Sequence, residues 1–193
     1  FNYTTRTAFS PYFQDDDNSY GSFDGTNDYV NLTTFTNLDL VNNFTISLWI
    51  YKNTLLFPNF AGVIARGTTA QRTPWIYGEN GQQYLNMQFE TITTVSDCFI
   101  TSANIPATTW TNIIAWWNGT TCSFFVNGVM GTTDNTVNGT LNTTNGFNYM
   151  GWINALGYFN GSIDNVLILN RSLNSTEVTS LYSLGRKDTT YTD

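Results

Sequence analysis

A chain of 193 residues fits one domain, and folding at that length buries roughly 70% of the unfolded surface, enough for a core without metal or disulfide. Fourteen acidic residues against seven basic ones give a net charge of −7, which argues against nucleic acid and anionic membrane surfaces as partners. No apolar run approaches the ~18 residues of a membrane span. With no histidine in the chain, neither a histidine-based nucleophile system nor a His-ligated zinc site can be built.

The first 19 residues alternate, with Phe1, Tyr3, Thr5, Thr7 and Phe9 spaced by twos as in a strand. Asp15, Asp16 and Asp17 then interrupt the pattern. This segment reads as an N-terminal arm that a neighbouring copy could accept along an open sheet edge, with Phe1, Tyr3 and Phe9 as anchors. The chain starts at Phe1 rather than Met, as expected if a leader has been removed or the chain excised from a longer one.

From Tyr20 onward, short runs rich in Thr, Tyr, Phe, Trp, Val and Ile recur between Gly, Asn and Pro punctuation. They predict strands near 21–24, 28–33, 43–52, 61–66, 74–78, 84–91, 98–103, 110–117, 121–127, 147–153 and 158–170, the spacing of a sandwich rather than of β-α-β units. One helix is expected over 175–184: Asn174 and Glu177 have capping-box spacing before it, and Gly185 stops it. Residues 20–185 therefore read as one all-β domain, followed by a polar tail over 186–193.

Only 11% of the residues are charged, so Asn and Thr must supply solubility. Nine Asn-x-Ser/Thr sequons occur, at Asn2, Asn31, Asn43, Asn118, Asn138, Asn142, Asn160, Asn170 and Asn174. In a chain with 25 Asn and 44 Ser and Thr the excess over chance is modest, and polar turn filler explains most of them. Asn118, at an expected two-residue hairpin tip, and Asn138 and Asn142, in a Gly/Asn/Thr loop, are the expected glycan carriers of a secreted chain, with Asn160, Asn31 and Asn2 behind them. Asn174 is already engaged as a cap.

The two cysteines, Cys98 and Cys122, suggest one disulfide in an oxidising compartment. If 98–103, 110–117 and 121–127 form a meander, however, the outer strands lie about 9.6 Å apart, whereas a bridge needs Cα atoms within roughly 7 Å. A bridge then requires Cys98 to leave the ladder after the polar run 93–97. Both a bridge and two separate buried thiols stay open.

Five segments occur in order: Ser22 through Val30, Phe44-Thr45-Ile46-Ser47-Leu48-Trp49-Ile50, Trp110 through Gly119, Phe124-Phe125-Val126-Asn127-Gly128, and Tyr158 through Glu177. Together they resemble the laminin-G-like (pentraxin, concanavalin A-like) jelly roll. The resemblance implies a two-sheet antiparallel sandwich with one short C-terminal helix. It also implies a structural calcium ion between the terminal strands, held by Asp24 and Asp164. The residues themselves offer another reading, in which Asp24-Gly25 is a turn and Asp164 bonds backbone amides.

The glucanases of this fold use closely spaced carboxylates in an E-x-D-x-x-E arrangement, and retaining hydrolysis needs two carboxyls about 5–5.5 Å apart. The three glutamates here, Glu79, Glu90 and Glu177, have no carboxylate two positions later, so no enzyme is expected. Trp116 and Trp117 are neighbours on one strand and must face opposite ways. Trp116, with Ile114 and Asn112, lies on a second face, which is either covered or an exposed ligand-binding patch. Covered core is the expectation, with Trp116 and Asn112 the glycan-contacting candidates otherwise. Low charge, dense Asn and Thr and the strand-like arm favour a non-catalytic extracellular or particle-surface subunit that assembles with copies of itself into a filament or coat. The alternative is a glycan-binding or adhesion module at the cell or virion surface.

Overall fold

The computed structural model describes residues 20–32, 40, 42–68, 71–92, 98–137, 139–141, 148–153 and 156–185. In chain order the strands are β1 (Gly21–Asp24), β2 (Val30–Asn31), β3 (Phe44–Lys52), β4 (Ala61–Thr68), β5 (Gln71–Gly78), β6 (Leu85–Phe89) and β7 (Cys98–Thr101). They continue as β8 (Trp110–Trp117), β9 (Cys122–Val126), β10 (Val129–Asp134), β11 (Asn148–Met150), β12 (Trp152–Ile153), β13 (Gly157–Tyr158) and β14 (Asn160–Leu169). One helix, α1 (Ser175–Leu184), follows.

The strands form the expected two-sheet sandwich. One sheet runs β1-β14-β3-β8-β9-β10 and the other β12-β13-β4-β5-β6-β7, with β11 pairing to both β2 and β4. Alternation along β3 sends Phe44, Ile46, Leu48 and Ile50 into the space between the sheets, where Ile113, Ala115 and Trp117 of β8 meet them. Phe89 of the second sheet closes on this group, its ring 5.4 Å from Phe44 and 5.1 Å from Trp117. Fully burying side chains of this size contributes roughly 1.5–3 kcal/mol each.

The opposite face of the first sheet is also covered. Ile114, Phe125, Leu169, Leu173 and Val178 form a second apolar cluster, with Trp116, Leu167 and Leu181 packed against it. The lid is α1 and the connector before it. Thr45 Oγ1 donates to the Arg171 carbonyl at 2.8 Å and accepts from Leu173 N at 3.2 Å, while Trp49 and Tyr182 stack at 5.9 Å. The helix starts as its sequence predicts. Asn174 accepts from Glu177 N and Glu177 accepts from Asn174 N, both at 2.9 Å.

Three expectations are corrected. Residues 98–103 do not form a meander with 110–117 and 121–127, because β7 belongs to the other sheet. The Cys98–Cys122 bridge therefore crosses between sheets, with Cα atoms 6.6 Å apart, and the two-spacing objection falls. The Asn118 turn has four residues between β8 and β9 rather than two; the two-residue hairpin is Asn127-Gly128, both with positive φ, joining β9 to β10. Strand β10 escaped the sequence pattern because it is an exposed edge with no apolar alternation.

The bridge closes a 24-residue separation between the sheets, for which loop-closure entropy gives a stabilisation of about 3 kcal/mol. Reduction, or the Cys98→Ala/Cys122→Ala pair, should lower the denaturant midpoint accordingly while the circular dichroism stays that of a β protein. Superimposable unfolding curves with and without reductant would contradict the cross-sheet staple.

Candidate functional site

Among the described residues two groups of rings reach the surface: Tyr20, Tyr51 and Trp110 on the first sheet, and a larger four-ring group at the end of the second. The register Asn31↔Tyr149 and Val30↔Met150 points Val30 and Met150 toward the core and places Tyr149 on the other face with Asn31. Tyr29, just before β2, joins Tyr149 and Trp152, with ring centroids 5.5 and 5.2 Å away. Trp152 lies 4.6 Å from Tyr149 and directly opposite Tyr158 in the β12–β13 pair. The Trp152 and Tyr158 rings stack on one another, with centroids 5.8 Å apart and planes within 17° of parallel.

The backbone beneath explains the placement. Tyr158 pairs with Gly62 of β4, and a Cβ at Gly62 would lie 2.4 Å from the Trp152–Ile153 backbone. Only glycine lets the tryptophan-bearing strand lie that close to β4. A cavity of about 480 Å³ opens beside the two rings, lined also by Gly25, Thr26, Asn59 and Leu156. Tyr29 is 47% exposed, and Trp152 and Tyr158 are half-buried.

The loop after β1 shapes the rim. The Asp24 carboxylate accepts from Thr26 N at 2.7 Å and Asn27 N at 3.1 Å, and Asp28 Oδ2 accepts from Asp24 N at 3.0 Å. The Thr26 and Asn27 amides hold the Asp24 carboxyl below its ordinary value, so it stays ionised. On the other side of the cluster, burial and the neighbouring Tyr29 push the Tyr149 phenol up, keeping it neutral. Half-exposed rings beside a hydroxyl (Thr26) and an amide (Asn59) can take a flat apolar surface while hydrogen-bonding its polar edge.

The expected calcium pair is separated by register. Asp24 stands opposite Asn160, not Asp164, which leaves the two carboxylates four residues apart along the ladder, roughly 13 Å. Asp164 is half-buried at a bulge opposite Trp49, and its Oδ1 accepts from Asn165 N at 2.8 Å. The residues present do not fit one ion shared by Asp24 and Asp164. No group of three or more metal-ligating side chains occurs among the described residues.

Trp116 and Asn112, the glycan-contacting candidates, have structural partners. Trp116 is half-buried, and its Nε1 donates to the Leu173 carbonyl at 2.9 Å beside the α1 layer. Asn112 is 1% exposed and its Nδ2 donates to the Leu48 carbonyl at 3.3 Å.

Of the sequon residues, Asn31 and Asn118 are exposed, whereas Asn160 is half-buried and accepts from Asn53 Nδ2 at 2.9 Å. Asn118 Oδ1 accepts from the Thr120 and Thr121 amides. Asn2, Asn138 and Asn142, and the arm residues Phe1, Tyr3 and Phe9, lie outside the described residues.

Each glutamate is committed: Glu90 to Arg72 at 2.9 Å, Glu177 to Arg171 and the cap, and Glu79 to the Asn86 amide. Sequence reasoning missed Tyr29, Tyr149, Trp152 and Tyr158. The signal was the recurrence of aromatics at Tyr149, Trp152 and Tyr158 around Gly151 and Gly157, but register alone brings Tyr29 to them.

The laminin-G-type model of the concanavalin A-like lectin/glucanases superfamily matches residues 24–179. No curated protein matches the chain in sequence. Among solved structures, the native heptameric SAP-like pentraxin from Limulus polyphemus aligns at a TM-score of 0.60 and 15% identity, covering 83% of this chain and 80% of that one. The botulinum neurotoxin serotype G binding domain aligns at 0.58 and 14% identity, covering 88% of this chain but only 47% of that one. Both likenesses are of fold.

The two exposed-or-covered readings of Trp116 separate by mutation. Trp116→Ala should destabilise the protein by about 3 kcal/mol, in the range of large-to-small core substitutions, and loosen α1. Trp152→Ala, which loses contacts with three rings but no hydrogen bond to the α1 connector, should cost less, about 1–2 kcal/mol. Denaturant unfolding of both variants checks the order; a smaller loss for Trp116→Ala would contradict its role in holding the α1 connector.

Proposed function

Because this chain belongs to the concanavalin A-like lectin/glucanases superfamily, we propose that it is a non-catalytic carbohydrate-binding or adhesion module whose sugar site is the Trp152–Tyr158 platform. The observation that carries the reading is the pair of near-parallel rings beside a cavity edged by Thr26 and Asn59. A pyranose ring offers a C–H face to such a platform and hydroxyls at its edge to the polar rim.

Catalysis is not part of this reading. The histidine-free sequence offers no histidine-based nucleophile system, and the three glutamates are engaged in ion pairs, a helix cap and an amide contact. The cross-sheet disulfide suits a module that works in an oxidising, extracellular setting. Among the described residues no helix is long and apolar enough to cross a membrane. The binding reading stands ahead of a self-assembling coat or filament subunit because the ring cluster beside the Thr26–Asn59 cavity supports it.

A glycan array with the purified chain, followed by titration of any hit, tests the proposal. Trp152→Ala should weaken the titrated hit roughly tenfold or more, about 1.4 kcal/mol, without changing the fold. Unchanged affinity in that variant would remove the platform from the binding site.

A further inference from the structure

The charge around the platform narrows its ligand. The cavity is lined by uncharged residues, and the loop supplying Gly25 and Thr26 carries a carboxylate before and after them, at Asp24 and Asp28. Both are exposed, and Asp24 is held ionised by the Thr26 and Asn27 amides. No lysine or arginine lines the cavity. Lys52 is buried elsewhere, its Nζ donating to the Leu55 carbonyl at 2.8 Å and lying 4.4 Å from the Phe57 ring. Arg72 and Arg171 are paired with Glu90 and Glu177. An anionic sugar would therefore meet like charge in the loop that edges the cavity, where no described lysine or arginine forms part of the lining, in a protein whose net charge is already −7.

Resting on the carbohydrate reading above, we propose that the Trp152–Tyr158 site selects uncharged glycans and rejects sialylated, uronic and sulfated ones, with Asp24 and Asp28 as the discriminating residues. Their contribution is repulsive: they weaken the wrong ligand rather than grip the right one, which is how a shallow aromatic platform gains selectivity. Sugar stacking alone carries little charge information, because every pyranose has a C–H face. A cationic ligand would also tolerate the acidic rim. The four rings pack on one another at 4.6–5.8 Å, however, and form a surface rather than a cage enclosing an ammonium group.

The test pairs neutral oligosaccharides with sialylated and sulfated versions of the same core, titrated at low ionic strength against the wild type, Asp24→Asn, Asp28→Asn and the double variant. Asparagine keeps the side-chain oxygen that accepts the loop amides, and melting curves confirm that the fold is retained. The wild type should bind the neutral member at least several-fold tighter. That ratio should shrink with each charge removed and with added salt, as screened like-charge repulsion requires.

An acidic member that binds as tightly as its neutral counterpart, or a ratio indifferent to the double variant, overturns the selectivity and leaves the carbohydrate reading standing. If no glycan binds, both fall together. Saturable binding of tetramethylammonium at the Trp152 ring, with no neutral glycan bound, would overturn the proposal in favour of a cation site.

Discussion

Everything in this molecule follows from the alternation of side chains along β8. Adjacent residues face opposite ways, so Trp116 and Trp117 commit the first sheet to two apolar faces. Trp117 enters the space between the sheets, fully buried against Phe44 and Phe89. Trp116 emerges on the back and needs a second cover. The chain supplies that cover after β14, where the Thr45 hydroxyl pins the connector before α1 and the Leu173 carbonyl accepts a hydrogen bond from the Trp116 indole N–H. The cover is incomplete at the far end of this face, where Tyr20, Tyr51 and Trp110 stay partly exposed.

The second sheet is built differently. Its inner face shares the core, while its outer face keeps a small cluster of Ala65, Trp75, Tyr77 and Ile153. At its β2–β11–β12–β13 end the strands are two or three residues long. Short strands bury little, and their rings are left half-exposed. The rings are held in place by mutual packing and by Gly62, which admits the Trp152–Ile153 backbone against β4. The site is thus a by-product of how the sandwich closes: helix on one back, aromatics on the other, with the disulfide tying the sheets together through β7 and β9.

Local features were legible in the sequence, and long-range ones were not. Asn174 and Glu177 announced α1 because a capping box is a four-residue pattern with its own hydrogen bonds. The opposed faces of Trp116 and Trp117 followed from period-2 geometry alone. Which sheet β7 joins is a matter of tertiary pairing, so the Cys98–Cys122 distance was misjudged from an assumed meander. The calcium expectation failed to bring its pair together for the same reason, since a register that sets Asp24 against Asn160 cannot be read from either strand by itself. Tyr29 and Tyr149 are 120 residues apart in sequence, and only the β2–β11 register makes them neighbours.

The central claim is that ligand binding belongs to the ring platform on the second sheet and not to the tryptophan under α1. The chain has six tryptophans, each with one indole N–H that reports its surroundings in a nitrogen–proton correlation spectrum. Titrating a neutral oligosaccharide that the protein binds should move the Trp152 indole signal, identified by its loss in Trp152→Phe. The Trp116 signal, held by the Leu173 carbonyl, should stay in place. A Trp116 signal that moves while Trp152 stays fixed would contradict the account.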